Sequence, residues 1–137
     1  MHWDTHEVSA KAAIYDETGT KALVMIYAGG KAYGLPGGHL DAGETPIQAM
    51  KRELAEEVSP EADFNLVQQE FFIRNDNETP PRLILGYSGC IAEDTHFVLE
   101  SYDNDEHPVW VTREEIKDLQ TLAPGYLIFA LKHWPKI

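Results

Sequence analysis

Apolar residues along the first part of the chain predict β-strands. The segments 7–16 (EVSAKAAIYD) and 21–27 (KALVMIY) have the apolar and β-branched content of strands, and ETGT between them supplies a glycine turn. We therefore predict a β-hairpin. The stretch AYGLPGG at 32–38 predicts a short strand that runs into a Pro-Gly-Gly break at 36–38.

A helical period follows and predicts a helix that begins after Thr45. Thr45 and Gln48 have the spacing of a capping box, and Pro46 suits the first helical position. Four apolar side chains fall within about 80° of one another on a helix and form its buried stripe. They are Ile47, Met50, Leu54 and Val58. The helix is expected to end at 59–60 (Ser-Pro), because the residue before a proline disfavours the helical region.

The second half of the chain predicts more strands and then two helices. Strands are predicted at 65–74, 82–92 and 108–111, and HFVLESY at 96–102 is predicted to extend the sheet. Thr112 and Glu115 form a second capping box, which begins a helix through about residue 119. The segment PGYLIFALKHW predicts a C-terminal helix whose inward-facing residues are Leu127, Ile128 and Leu131.

This order of elements predicts an α+β fold in which a mixed β-sheet is sandwiched between helices. The length of 137 residues predicts one domain over residues 1–137. The hydrophobic fraction of 43% and charged fraction of 25% are typical of a globular protein in water. The sequence leaves a monomer and a homodimer open.

Charge and cysteine content narrow the possible partners and compartment. The net charge of −12 argues against binding a nucleic acid polymer, because phosphate contacts require patches of lysine and arginine. No apolar run approaches the ~20 residues of a membrane span, and no signal-peptide pattern opens the chain. A single cysteine, Cys90, excludes an internal disulfide. We therefore predict a cytoplasmic protein that does not bind membranes.

An acidic cluster on the first predicted helix carries the candidate chemistry. The segment RELAEEV places Glu53, Glu56 and Glu57 at helical spacings, where like charges repel by a few tenths of a kcal/mol per pair. The cluster therefore predicts a positively charged ligand. Carboxylate oxygens suit Mg²⁺ or Mn²⁺, which bridge phosphate oxygens and lower the pKa of a bound water. A solvated acidic helix face is the alternative interpretation.

The segment GHLDAGETPIQAMKRELAEEVSP, which starts at Gly38, resembles the signature of the Nudix hydrolase family. That signature is Gly, five residues, Glu, seven residues, Arg-Glu, an aliphatic residue, any residue, Glu-Glu, any residue, Gly and an aliphatic residue. The matching residues are Gly38, Glu44, Arg52, Glu53, Leu54, Glu56 and Glu57. Ser59 and Pro60 replace the final glycine and aliphatic residue, a departure that concerns the helix exit and not the acidic set.

The resemblance implies a hydrolase that uses Mg²⁺ or Mn²⁺ to cleave a diphosphate linkage in a small-molecule nucleoside diphosphate derivative. It implies Glu56 and Glu57 as principal metal ligands and Glu53 as a ligand or water-orienting group. The Gly37 carbonyl would complete the shell. The residues implied to hold the carboxylates in position are Arg52 and Glu44, for which a surface ion pair and a helix-dipole role are the respective alternatives.

The general base is expected in the loop SYDNDEHPVW, because the family often takes it from an acidic residue well after the signature. We prefer Glu106, which lies just before the predicted strand at 108–111. Asp103, Asp105 and Glu53 stay open as alternatives. No substrate-binding residue is assigned, and nothing in the sequence identifies the base of the nucleotide.

Two other functions are open. A non-catalytic nucleotide-binding module of the same fold is disfavoured because the acidic set is intact. A calcium-binding domain is weaker still, since no looped D-x-D-x-D-G pattern occurs. His39 and His107 are possible phosphate or base contacts, but we favour structural roles for both.

Overall fold

The structure is a computed structural model that describes residues 6–27, 32–74, 82–98 and 106–136. Its strands are β1 (Glu7–Asp16), β2 (Lys21–Tyr27), β3 (Ala32–Gly34), β4 (Gly37–His39), β5 (Val67–Arg74), β6 (Arg82–Ile91) and β7 (His107–Thr112). Its helices are α1 (Pro46–Glu57), α2 (Arg113–Lys117) and α3 (Pro124–Lys132). None of these helices is long and apolar enough to cross a membrane.

The strands form one mixed sheet with β1 at its centre. The order is β3-β2-β1-β6-β5, while β4 pairs with β1 and β7 pairs with β2. β1 runs antiparallel to β2 and β4 but parallel to β6, along which Glu7 faces Arg82 and Asp16 faces Ile91. The predicted hairpin of β1 and β2 is confirmed. Its turn is tightened by the Asp16 carboxylate, which accepts hydrogen bonds from the backbone of the first residues after the turn.

Alternate side chains of β1 pack on opposite faces of the sheet, as the two-residue strand period requires. One face buries Ala10, Ala12 and Ile14 together with Met50, Leu54 and Val58 of the α1 region. The other face buries Ala13 and Tyr15 together with Tyr126, Phe129 and Ala130 of α3. The predicted mixed sheet between helices is thereby confirmed.

The first helix follows its sequence signals closely. Thr45 caps α1 in a capping box with Gln48, and Pro46 is the first helical residue. Met50 and Leu54 are buried, and Ile47 packs partly buried against the same core. The helix begins at the predicted residue because caps and stripe agree, and it ends at Glu57, two residues before the predicted end at Ser59.

The inward face predicted for the C-terminal helix was wrong at one position. Ile128 is 66% exposed, whereas the residues of α3 that are buried are Tyr126, Phe129 and Ala130. Leu127 and Leu131 are half-buried against the same core. The segment is apolar around most of its circumference, so periodicity does not define one face. Tertiary contacts decide the orientation: the Tyr15 hydroxyl donates to the Ala130 carbonyl at 2.6 Å.

The strand predicted at HFVLESY was also wrong in its described part. Residues 96–98 are not in a strand, and 99–102 lie outside the described residues. The Val98 amide instead donates to the Val58 carbonyl at 2.7 Å, at the end of α1, and Phe97 packs beside Trp110. The described residues Phe97 and Val98 therefore contact the α1 side of the core and do not pair in the sheet.

Candidate active site

Two glycines let β4 fit between the central strand and the acidic helix. Gly37 has φ +136°, and a Cβ there would lie 2.0 Å from the Ala10 carbonyl oxygen. A Cβ on Gly38 would lie 2.6 Å from Oε1 of Glu53. We predicted a break at 36–38, but the residues after Pro36 form a short strand. This strand brings backbone groups directly against the helix carboxylates.

A cavity of about 520 Å³ opens beside these elements. This volume lies within the roughly 300–1,000 Å³ typical of small-molecule sites. Its lining includes Glu53, Glu56 and Glu57 from α1, Glu106 before β7, and Ser9, Lys11, Tyr27, His39, Arg82 and Tyr126 from other elements. The structure therefore brings four of the five predicted acidic residues that it describes to one cavity, and Glu44 lies outside its lining.

Arg52 organises the outer part of the acidic row, by which we mean Glu53, Glu56 and Glu57 on α1. Its guanidinium contacts Glu44 in two places, Nε to Oε2 at 2.7 Å and Nη2 to Oε1 at 3.0 Å. Glu44 also accepts from the Asp41 amide at 2.7 Å. Both donors lower the pKa of Glu44, and the hydrogen bond from Arg52 has the larger effect. The other acceptors of Arg52 are Glu53 at 3.0 Å, Glu56 at 3.4 Å and the His39 carbonyl at 3.1 Å.

Glu57 lies at the inner end of the same row, in a different environment. Burial raises its pKa, and a hydrogen bond shared with Glu53 raises it further. The charge of Lys11 and the Gly37 amide, which donates to Oε1 of Glu57 at 3.2 Å, act in the opposite direction. A cation bound at this carboxyl would stabilise its charged form, which burial alone disfavours.

The donor set fits a divalent metal ion in its chemistry. Carboxylates of one helix and a backbone carbonyl are the hard oxygen ligands that Mg²⁺ and Mn²⁺ prefer. Across the described ranges, no three acidic, histidine or cysteine side chains already surround a common point at metal-ligand distances. The carboxylates instead face Arg52 and the Gly37 amide. The Gly37 carbonyl accepts from Nζ of Lys11 at 3.1 Å and has a second lone pair.

Glu106 reaches the cavity through the pairing of β7 with β2. His107 faces Ile26 in this register, so the preceding residue lies beside Tyr27. Burial raises the pKa of Tyr27, and the charges of Glu57 and then Glu106 raise it further. Asp103 and Asp105, the alternatives for the base, lie outside the described residues.

The two histidines occupy different positions. Nε2 of His39 lies 3.1 Å from a carboxylate oxygen of Glu7, and the ring borders the cavity. His107 is an exposed residue at the start of β7. Structural roles for both stay a prediction.

Several cavity residues were not predicted from the sequence. They are Ser9, Lys11, Tyr27, Arg82 and Tyr126. Lys11 did leave a signal, because it is the only charged residue between Glu7 and Asp16 in a strand otherwise typical of a core. The other four come from β1, β2, β6 and α3, and no local pattern connects them.

Comparisons with known proteins agree with this geometry. A family model described as NUDIX domain matches residues 5–131. No curated protein matches the chain significantly in sequence. Solved structures share its fold. The E. coli dihydroneopterin triphosphate pyrophosphohydrolase has a TM-score of 0.75 and 15% identity, over 95% of this chain and 97% of that chain.

Two further structures illustrate the range of similar proteins. The NUDIX domain of Shewanella oneidensis NrtR, complexed with ADP ribose, has a TM-score of 0.76 and 16% identity over 95% of this chain and 87% of that chain. The C. elegans Ap4A hydrolase has a TM-score of 0.68 and 19% identity over 93% of this chain and 97% of that chain. At these identities they show a common fold. Since the family model covers nearly the whole chain, the protein belongs to the Nudix hydrolase family.

Proposed function

We propose that the protein is a divalent-metal-dependent hydrolase that cleaves a diphosphate linkage in a nucleoside diphosphate derivative. The observation that carries this proposal is the meeting of Glu53, Glu56, Glu57 and Glu106 in one cavity of nucleotide size. Membership of the Nudix family supports it. In the reaction, a water oxygen attacks one phosphorus, the bridging P–O bond breaks, and a nucleotide and a phosphate-bearing product leave.

We assign the metal ligands to the acidic row. Glu56 and Glu57 are the principal ligands for Mg²⁺ or Mn²⁺, and Glu53 and the Gly37 carbonyl complete the set. When bound, the metal neutralises charge on the phosphates and lowers the pKa of a bound water. Arg52, through contacts of 2.7 to 3.4 Å with carboxylates, keeps the row in position for that ligand.

We assign Glu106 as the general base. It belongs to a different element from the acidic row but lines the same cavity, so it can accept the proton of the attacking water without being a metal ligand. The carboxylate of Glu53 and the two aspartates at 103 and 105 are the alternatives. Glu44 contributes only through Arg52, to which it is bound in two places.

The ligand we propose is a small nucleotide and not a nucleic acid polymer. The net charge of −12 disfavours a polymer, whereas a few phosphates bound through metal ions are compatible with an acidic cavity. One similar structure contains ADP ribose and another is an Ap4A hydrolase, which supports a nucleotide ligand without identifying the base. We propose a reducing compartment such as the cytoplasm, consistent with a single cysteine.

A non-catalytic nucleotide-binding module is the second candidate. The NUDIX domain of NrtR complexed with ADP ribose has this fold and holds a nucleotide, which is the observation in its favour. The intact set of four glutamates in the cavity favours the hydrolase, because binding alone does not require a base.

A substrate panel separates these candidates. Product release is measured from nucleoside triphosphates, dinucleoside polyphosphates, nucleotide sugars and ADP-ribose with Mg²⁺ or Mn²⁺. We expect hydrolysis of at least one class, and its loss after exhaustive chelation. Full activity after chelation would contradict the metal requirement. Tight binding of a nucleotide without turnover of any panel member would support the binding module instead.

A further inference from the structure

Ser9 and Lys11 occupy alternate positions of β1, so both side chains leave the same face of the strand. Both line the cavity that contains the acidic row. They are nearly buried, with relative exposures of 1% and 9%. A lysine is rarely buried unless its charge has a purpose or a partner, which makes this pair unusual among the strand residues of the sheet.

The Lys11 ammonium is held at the cavity wall by backbone carbonyls. Nζ donates to the Leu35 carbonyl at 3.2 Å and to the Gly37 carbonyl at 3.1 Å, on the two sides of Pro36. It also lies 5.9 Å from the ring centroid of Tyr126, on α3. These contacts hold the positive charge at the cavity wall, on the face of β1 that packs against α3.

The Ser9 hydroxyl gives more direct evidence of a ligand site. Among the residues that the structure describes, Oγ of Ser9 has no hydrogen-bond partner, although the side chain is buried. An unsatisfied buried hydroxyl destabilises a folded protein. A ligand oxygen that enters the cavity would remove this cost, since a hydroxyl both donates and accepts.

We propose that Ser9 and Lys11 form an anion subsite that binds one phosphate of the diphosphate linkage, and this inference rests on the proposed function. Lys11 supplies a charge-assisted hydrogen bond and Ser9 supplies a neutral one. The metal ligands on α1 and the ammonium on β1 border one cavity, so the diphosphate would lie between two sources of positive charge.

Arg82 provides an informative contrast. It borders the same cavity, but Nη2 lies 3.5 Å from a Glu7 carboxylate oxygen, and Glu7 is itself bound to His39. Its side chain is 20% exposed. A substrate phosphate would therefore compete with a carboxylate at Arg82, whereas two of the groups that Lys11 contacts are neutral backbone carbonyls.

The subsite is tested by calorimetric titration of inorganic pyrophosphate, in saturating Mg²⁺, into the full chain. We expect Lys11→Met to weaken pyrophosphate binding by about 10- to 100-fold and Ser9→Ala by about 3- to 10-fold. Lys21→Met and Ser88→Ala are matched controls on neighbouring strands outside the cavity lining, and should stay within about twofold. Binding of Mg²⁺ alone should stay within about threefold in Ser9→Ala and in both controls.

Thermal unfolding separates a ligand contact from a structural role. Ser9→Ala removes an atom without a protein partner among the described residues, so its Tm should equal or exceed that of the parent. A lower Tm together with unchanged pyrophosphate affinity would overturn the subsite. If Lys11→Met fails to fold, Ser9→Ala decides the outcome alone.

Different experimental outcomes would overturn the subsite and the proposed hydrolase function. Hydrolysis of a panel member, with parental pyrophosphate affinity in both variants, overturns the subsite and leaves the hydrolase standing. Pyrophosphate binding that depends on Ser9 and Lys11, without hydrolysis of any panel member, supports the subsite and removes the hydrolase. A parent that does not bind pyrophosphate also overturns the subsite.

Discussion

The carboxylates at the two ends of the acidic row on α1 lie in different electrostatic environments. At the outer end, Arg52 contacts Glu44, Glu53 and Glu56 at 2.7 to 3.4 Å, and Glu56 is 60% exposed. At the inner end, burial raises the pKa of Glu57, and Lys11 and the Gly37 amide only partly oppose this effect.

The difference shows where a divalent ion would change the protein most. The outer carboxylates already contact the Arg52 guanidinium, and Glu56 is also exposed to solvent, so a metal would replace existing partners there. The inner carboxylate favours its neutral form, so a metal would convert it to an anion as it binds. We therefore expect Glu57 to be the position at which metal binding, activity and stability are most strongly coupled.

Glu57→Gln should cause the largest loss of activity among the single variants. Glutamine keeps the shape and removes the anionic ligand, so turnover at saturating metal should fall by roughly 100-fold or more. Steady-state kinetics with the preferred panel substrate would measure it. Glu114→Gln, on the exposed side of α2, is the control. Turnover within about threefold of the parent would show that Glu57 is not a ligand.

Glu106→Gln should reduce turnover by about 100-fold while leaving metal titration nearly unchanged. A base acts on the attacking water in the transition state, so its loss affects the rate constant and spares ground-state affinity. The pH–rate profile should also lose the limb that reports ionisation of the base. If Asp103→Asn or Asp105→Asn loses activity and Glu106→Gln does not, the base lies elsewhere in this loop. If all three remain active, Glu53 becomes the candidate.

Arg52→Lys tests the outer end and should have a smaller effect, about 10-fold in metal affinity. Lysine keeps the charge but lacks the planar fork that contacts both oxygens of Glu44. The carboxylates should therefore lose their fixed geometry without losing their countercharge. Arg113→Lys, on exposed α2, is the matched control. Parental metal affinity in Arg52→Lys would show that Glu53 and Glu56 need no positioning by the guanidinium.

The smallest expected effect is the pH dependence of stability without metal. Because the folded-state pKa of Glu57 lies above the ordinary 4.5, the folded protein keeps a proton that the unfolded chain loses. Stability should therefore fall as pH rises above about 5, by on the order of 5 °C in Tm. Glu57→Gln should flatten this slope and Glu56→Gln should preserve it. A parental slope in Glu57→Gln would place the titrating group elsewhere.

Local sequence signals predicted the elements whose caps and periods agree. The α1 helix, with its Thr45 capping box and its stripe through Met50 and Leu54, formed where it was predicted. The β1–β2 hairpin did as well. Predictions were wrong in segments that are rich in apolar residues but have no clear period, as at Ile128 and at residues 96–98. In those segments the packing partner, and not the local pattern, decides which side chain is buried.

The sequence by itself determined the spacing of the acidic row, because 3.6 residues per turn place Glu53, Glu56 and Glu57 on one flank of any helix they form. Only the tertiary structure decided their unequal environments. It placed Glu57 beside the buried ammonium of Lys11, which is 46 positions away along the chain. Burial and long-range Coulomb interactions depend on which strands meet, and no local pattern in the sequence encodes that meeting.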